Sequence, residues 1–359
     1  MQKIILTTGG TGGHIFPALA VAEALYRHNP ATEVLFVGSH YGPEKELVSR
    51  AGIAFEGLPV RGFLGRGVKA IAAGARMTVA LVKALGLVGR FRPRVVAGFG
   101  GYAAFAPMLA GALRGVPCLL HEQNAIAGTS NRILGKLARR ICLSLPGTEG
   151  FPQAKCELTG NPVRQDICKA GEQERNFASR HLLVLGGSQG AHALNELMVA
   201  MLPALKAANI EILHQTGTRD EQATREAYVA AGYAPECVQA FINDMASTYA
   251  WADLVLCRSG ASTVAELCAC GLPALLVPFP HAIHDHQTRN ARVMADAGAA
   301  QLMPEAGLES SSCAGMITQL MHDNTTRQGM SLAARKLAQT DAADRVAKAI
   351  VLLAEQYGK

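Results

Sequence analysis

The chain opens on a short, β-branched apolar run at residues 3–8, which breaks into a glycine cluster, Gly9-Gly10-Thr11-Gly12-Gly13-His14. A pattern of helical period follows at about 17–28, then a second apolar run at 33–37. The same order returns about half a chain later. An apolar run at 181–185 enters Gly186-Gly187-Ser188-Gln189-Gly190, and a helical pattern at about 193–207 leads to an apolar run at 210–215. Strand, glycine turn, helix and strand, repeated once, predict two doubly wound α/β domains in tandem.

Further strand-and-turn units fill each half. The run 94–97 enters Gly98-Phe99-Gly100-Gly101-Tyr102, and 117–120 enters His121-Glu122-Gln123-Asn124. In the second half 253–257 enters Arg258-Ser259-Gly260, and 273–277 enters a loop rich in histidine. The polar, charged stretch 165–180 after Pro162 reads as the linker, and the Ala/Leu-rich tail from about 330 to 356 predicts one or two helices.

A length of 359 residues fits two domains. With 49% hydrophobic and 17% charged residues, general disorder is excluded. A net charge of +6 is too small to argue for nucleic acid as a partner. Nine scattered cysteines without a CxxC pair favour a reducing compartment and give no zinc knuckle. The first residues carry too short an apolar run for a signal peptide, and the best candidate for a membrane span, 103–120, contains Pro107, Arg114 and Pro117.

A glycine turn that opens a helix presents free N–H groups and the positive end of the helix dipole, which suits phosphate. One such turn is as often a plain βα connection. Three of them, at 9–13, 98–102 and 186–190, shift the reading toward phosphorylated ligands. None matches GxGxxG, and neither second strand ends in the carboxylate that a dinucleotide ribose needs, so a dehydrogenase is disfavoured. No Gly-Lys-Ser/Thr follows any of the turns, so a P-loop is absent. Thr263-Val264-Ala265-Glu266 has the spacing of a capping box. It reads equally as a well-capped helix and as a helix start facing a diphosphate with Glu266 on ribose hydroxyls.

Taken in order, GGTGGH (9–14), GFGGY (98–102), HEQN (121–124), GNPVR (160–164), GGSQG (186–190), the Arg258-Ser259-Gly260…Glu266 segment and DHQ (285–287) resemble the MurG family of peptidoglycan N-acetylglucosaminyltransferases. The resemblance covers almost the whole chain. It implies a GT-B fold of two Rossmann-like domains facing a cleft, 1–163 on the acceptor and membrane side and 164–340 binding the UDP-sugar. A C-terminal helix at about 341–359 is expected to return to the first domain. It implies transfer of N-acetylglucosamine from UDP-N-acetylglucosamine to lipid I, forming lipid II, without a cofactor.

Residue by residue, the resemblance puts Ser188 and its loop on the donor diphosphate, with Arg164 near it. The backbone at Ile242 reads uracil, and Glu266 holds the ribose. The helix start at Ala261, Ser262, Thr263, Val264 and Ala265 faces the α-phosphate, and Gln287 contacts sugar hydroxyls. Thr11, Gly12 and Gly13 line the cleft, and Asn124 reaches the transferred sugar. Gly10, Gly100, Gly101 and Tyr102 belong to the loops expected to cradle the acceptor diphosphate. Two stretches depart from the family pattern: Ala103-Ala104-Phe105-Ala106-Pro107, where a small polar residue is expected, and 281–286, which carries three histidines.

Displacement at the anomeric carbon needs a base. His14, at the end of the first glycine loop, is the candidate, since an imidazole near pKa 6.5 suits neutral pH. Its plainer role is to orient the loop. Glu122 is the competing base, or else a structural partner of its turn. No D-x-D pair occurs, so no metal is expected, and leaving-group charge falls to helix N-termini and Arg164. The His281-x-x-His284-Asp285-His286 cluster is a weak candidate for a transition metal.

Between Glu56 and Glu122 there is no acidic residue, while Arg61, Arg66, Lys69, Arg76, Lys83, Arg90, Arg92, Arg94 and Arg114 fall in that interval. Residues 68–87 within it are apolar with helical spacing. A basic amphipathic segment suits an anionic membrane surface, at about 1 kcal/mol per base. The expectation is a peripheral protein on the cytoplasmic face of the bacterial plasma membrane. A UDP-N-acetylglucosamine 2-epimerase, which needs no acceptor and no basic face, is the alternative. A non-catalytic nucleotide-binding protein would have no use for His14 and the first-half glycine loops.

Overall fold

The computed structural model describes residues 2–60, 68–187, 189–282 and 285–357. The chain divides into two compact units, residues 1–164 with 340–359, and residues 165–339.

The first unit is built on seven strands: β1 (Lys3–Thr7), β2 (Glu33–Ser39), β3 (Ala54–Leu58), β4 (Val95–Gly98), β5 (Cys118–Glu122), β6 (Arg140–Leu143) and β7 (Cys156–Leu158). They form one parallel sheet in the order β3-β2-β1-β4-β5-β6-β7. The central strands are buried along their length and read as near-continuous apolar runs, as parallel strands covered on both faces do. One face carries the helices Gly12–His28 and Ala342–Tyr357, which pack Val21, Leu25, Val346, Ile350 and Leu353 onto Ile4, Leu6, Phe36 and Val95. The chain's last helix thus completes the core of the unit that holds its first strand. Arg27 pairs with Asp344 at 2.8 Å at the edge of that seam. The other face carries Val68–Phe91 and Phe105–Leu113, packed on Ile5, Val37, Val96 and Leu120.

The second unit repeats the plan with β8 (His181–Leu185), β9 (Glu211–Gln215), β10 (Val238–Gln239), β11 (Leu254–Cys257), β12 (Ala274–Leu276) and β13 (Ala300–Leu302). The parallel order is β10-β9-β8-β11-β12-β13.

Three sequence readings change. The stretch 165–180 is not a free linker: it opens as a helix, Gln165–Glu172, packed so closely on the helix Ala261–Cys270 that a Cβ on Gly171 would lie 2.1 Å from the Ala269 carbonyl oxygen. Its remainder is pinned by arginines. Arg175 donates to the carbonyls of Tyr249, Ala252 and Cys270, and buried Arg327 donates to those of Phe177 and Ser179. Arg335 donates to those of Gly171 and Gln173. Charge in that stretch and its partners serves packing rather than solvation. Second, the first helix starts at Gly12, not Pro17. Glycine is a poor helix former, so its start is invisible to propensity; a Cβ on Gly12 would lie 2.9 Å from the Phe16 ring. Third, the helix Ala261–Cys270 is capped by Gly260, which puts Thr263 inside the helix and removes the capping box.

Candidate active site

In an open α/β sheet, ligands bind beyond the carboxyl ends of the strands where the strand order reverses. In the first unit that point lies between β1 and β4, since Thr7 pairs with Val37 on one side and Gly98 on the other. Both glycine loops of this unit leave from there. Phe99 N–H donates to the Thr7 carbonyl at 2.9 Å, and the Thr8 hydroxyl donates to the Gly100 carbonyl at 3.2 Å. Gly101 has φ +76°, and a Cβ on it would lie 1.9 Å from the Gly9 carbonyl oxygen, so the two loops fit only as glycine. Ala103 packs against Gly9 and is fully buried. Packing at that point requires a small side chain. The Tyr102 ring lies beside Gly10.

The helix that follows, Gly12–His28, has Thr11 at its N-cap with no side-chain cap bond and no acid in its first turn. The helix's own first turn thus sets no negative charge against the positive end of its dipole. Gly10 differs: its N–H donates to Glu44 Oε1 at 3.0 Å, and Glu44 is fully buried. That N–H is therefore committed to a carboxylate. Arg164 is drawn to the same helix start, its guanidinium 4.8 Å from the Phe16 ring centre.

His14 lies in the first turn of this helix, and its Nδ1 is 3.1 Å from Gln123 Oε1. Gln123 is buried and its Nε2 donates to the Phe99 carbonyl at 2.8 Å. Glu122, at the end of β5, is 1% exposed. Its Oε1 accepts the backbone N–H of Asn124 at 3.0 Å and the Asn124 side-chain amide at 3.2 Å. Its Oε2 accepts Asn131 Nδ2 at 2.8 Å and the Gly128 N–H at 3.3 Å. Four N–H donors converge on this carboxylate, so a proton on either oxygen would displace one of them. Beneath it His121 donates from Nε2 to the Gly160 carbonyl at 3.1 Å, and burial pushes its pKa down to about 4.

In the second unit the order reverses between β8 and β11. The helices that follow these strands, His192–Ala207 and Ala261–Cys270, both begin without a side-chain cap and without an acid in the first turn. Two helix starts at one switch point without a first-turn acid present the positive dipole ends that suit an anion. Gly190 has φ +75°, and its Cα side is closed off by Thr216 and Gly217. Those residues bond in turn to the carbonyls of Gln239 and Ala240, which brings the chain just before Ile242 to the turn. Ile242 is buried and borders a cavity of about 870 Å³ that also touches Tyr233, Ser247 and Trp251. Ser188 lies outside the described residues.

Ala261, Ser262, Thr263 and Ala265 are half-buried and Val264 is buried. Glu266 lies on the same helix, with Oε2 accepting the Tyr249 hydroxyl at 2.8 Å. Tyr249 is buried, and its hydroxyl pKa is raised by desolvation first and by Glu266 second. Gln287 accepts the Phe279 N–H at 2.9 Å through Oε1, which leaves Nε2 as its remaining donor group. Its backbone carbonyl accepts the Ser259 hydroxyl at 2.8 Å, tying the 285–287 segment to the β11 loop. Arg258 donates to the Val277 and Pro278 carbonyls and pairs with Glu305. Of the histidine cluster, His284 lies outside the described residues, and no group of three or more metal ligands occurs among those described.

Sequence reasoning passed over Gln123, Asn131 and Tyr249. Gln123 sits inside the HEQN motif, but only contact with His14 gives it a role. Asn131 and Tyr249 reach their carboxylates from helices nine and seventeen residues away, a relation no local pattern encodes.

The chain matches the Glycosyltransferase family 28 N-terminal domain over residues 4–143 and the C-terminal domain of that family over 181–346. It is 50% identical over 357 residues, 98% of each chain, to the UDP-N-acetylglucosamine--N-acetylmuramyl-(pentapeptide) pyrophosphoryl-undecaprenol N-acetylglucosamine transferase of Nitratidesulfovibrio vulgaris strain DP4. The protein of that name from Lawsonia intracellularis is 47% identical, with 97% of each chain covered. Among solved structures, Acinetobacter baumannii MurG superposes with a TM-score of 0.75 at 34% identity, over 98% of this chain and 100% of that one. A putative UDP-N-acetylglucosamine 2-epimerase from Listeria monocytogenes superposes at 0.73 but is 16% identical over 99% of this chain and 97% of that one, a likeness of fold alone. With both family domains matched and near-full-length kinship to its members, this chain belongs to the MurG glycosyltransferases of family 28.

Proposed function

We propose that the chain transfers N-acetylglucosamine from UDP-N-acetylglucosamine to the C4 hydroxyl of the muramyl sugar of lipid I, giving lipid II for peptidoglycan. The observation that carries this reading is the near-full-length kinship to transferases of that name. The second unit takes the donor. Its diphosphate is met by the helix starts at 192 and 261–265, and by Ser188. Glu266, steadied by Tyr249, accepts from the ribose, the backbone at Ile242 reads uracil, and Gln287 donates to sugar hydroxyls.

The first unit takes the acceptor. Gly100, Gly101 and Tyr102 form its loop, while Thr11, Gly12 and Gly13 at the helix start bind the donor. Gly10 shapes the loop rather than binding phosphate, because its N–H is held by Glu44. Arg164 adds positive charge beside the helix start, and Asn124 meets the transferred sugar. His14 removes the proton from the C4 hydroxyl as that oxygen attacks C1. The bond from C1 to the UDP oxygen breaks, so an α donor gives a β product. Glu122 serves as the anchor of the 122–131 turn rather than as the base, since its oxygens are committed to four N–H donors. Leaving-group charge is met by the helix starts without a metal ion.

The acceptor's lipid brings the protein to an anionic membrane surface, on the cytoplasmic face. The helix Val68–Phe91 supports this: Val79 and Val82 are 50% and 64% exposed, among exposed Arg76, Lys83 and Arg90. Leu113, 63% exposed, is on the neighbouring helix. No helix among the described residues is long and apolar enough to cross a membrane.

The test is UDP release from UDP-N-acetylglucosamine with and without a short-chain lipid I analogue, in EDTA. Acceptor-dependent release with a disaccharide product is expected. Conversion of the donor to its 2-epimer without acceptor would replace this reading by the isomerase. His14→Ala is expected to lower kcat by ~10²–10⁴-fold with UDP affinity unchanged, and unchanged turnover would remove His14 as the base.

A further inference from the structure

An imidazole can take a proton only at the nitrogen that lacks one, and the nitrogen that lacks one is decided by the partner of the other. The partner of His14 Nδ1 is Gln123 Oε1, at 3.1 Å. Which end of the Gln123 amide faces His14 is itself decided elsewhere. The Phe99 carbonyl lies 2.8 Å from the other end of that amide, and a carbonyl only accepts. The amide nitrogen must therefore face Phe99 and the amide oxygen must face His14. An amide oxygen also only accepts, so in the neutral imidazole His14 Nδ1 carries the hydrogen and Nε2 carries the lone pair.

Phe99 is held by its N–H on the Thr7 carbonyl, and the loop after it by the Thr8 hydroxyl on Gly100. Gln123 is 1% exposed, so water does not compete for its amide. Gly100 lies so close that a Cβ there would be 3.2 Å from His14 Nδ1, which confines the ring on that side. We infer that Gln123 is a positioning residue: it fixes His14 as the Nδ1–H tautomer and so leaves Nε2 as the basic nitrogen. Without such a partner, neutral histidine side chains favour the opposite tautomer, with the hydrogen on Nε2.

The inference rests on His14 as the base for its consequence in catalysis, but the tautomer is measured without turnover. In the full chain labelled with ¹⁵N-histidine, at pH 8.5, the His14 signals are picked out from the eleven histidines by their loss in His14→Gln. A protonated Nδ1 and an unprotonated Nε2 are expected in the wild-type chain, and a swing toward Nε2–H in Gln123→Met. Nε2–H in the wild-type chain, or no change in Gln123→Met, would overturn the inference, and the wild-type spectrum decides even if the variant does not fold. A base held in the wrong tautomer loses about 10⁴-fold in the serine-protease triad. A mixed population loses less, so kcat in Gln123→Met is expected to fall ~10- to 10³-fold with KM for the donor unchanged. The expected tautomer with turnover unaffected in both His14→Ala and Gln123→Met would leave the tautomer standing and remove the base reading instead.

Discussion

Lowering the pH from 7 to 5 should destabilise the second unit through one buried imidazole. His214 is fully buried, and burial pushes its pKa down to about 3, against 6.5 in an unfolded chain. Its two nitrogens are used in the neutral form. Asn195 turns its amide nitrogen to the Thr216 carbonyl and Asp220, so its oxygen accepts from His214 Nε2, and the Tyr228 hydroxyl donates to Nδ1. Because the folded pKa lies below the unfolded one, the stabilisation is complete above pH 6.5 and is lost as the unfolded state takes up its proton. Between pH 7 and 5 the unfolded histidine goes from about a quarter to almost fully protonated while the folded one stays neutral, a loss of about 2 kcal/mol. With a urea m-value of about 2 kcal/mol/M, the midpoint moves down by about 1 M. Trp251, the only tryptophan, lies in this unit with its ring 4.3 Å from that of His181, so its fluorescence follows this unit's unfolding. Other groups titrate over the same range, and the control is therefore His214→Gln, whose amide can occupy both partners without titrating. The variant's loss between pH 7 and 5 should be about 2 kcal/mol smaller than that of the wild-type chain. Equal losses in both would show that His214 is not held neutral by burial.

Other perturbations probe the two candidate sites. Tyr249→Phe removes the hydrogen bond to Glu266, worth ~1.5–3 kcal/mol to a charged group. KM for the UDP-sugar should rise ~10-fold or more with kcat little changed, as initial-rate kinetics would show; an unchanged KM would detach Glu266 from donor binding. Glu122→Gln turns an amide NH₂ toward donors that need an acceptor, and thermal unfolding should register a loss of ~1–3 kcal/mol. Full stability with turnover abolished would restore Glu122 as the base. Gly101→Ala places a methyl against the Gly9 carbonyl and should abolish transfer while UDP binding, read by calorimetry, survives in the second unit. Val79→Glu with Val82→Glu should weaken co-sedimentation with anionic vesicles without affecting soluble-analogue turnover, and undiminished co-sedimentation would place the membrane contact elsewhere.

The sequence by itself determined the two-fold α/β plan, the central strands and the glycine turns. The reason is local. Strands β1, β4, β5, β8 and β11 are buried on both faces and spell out apolar runs, and a turn where backbones nearly touch admits only glycine. The edge strands β3, β7, β10 and β13 give no comparable signal, because they are short and at least partly exposed and form only when a neighbour offers its ladder. Charge misled at 165–180 for a related reason: a polar segment between domains resembles a linker until Arg327 and Arg335 of one distant helix are seen to satisfy its carbonyls.

The motifs likewise named residues without deciding their work. HEQN supplies Glu122, Gln123 and Asn124 in a row, yet only the fold turns Glu122 into the anchor of a turn and Gln123 toward His14, more than a hundred residues away. The capping-box spacing at 263–266 was a correct pattern in the wrong register, because Gly260 starts that helix and Tyr249 takes Glu266. Glu44 carried no motif at all, and it removes one N–H from the first loop. Roles of this kind depend on which donor meets which acceptor across the sheet. Long-range contacts set those pairings, and spacing along the chain does not.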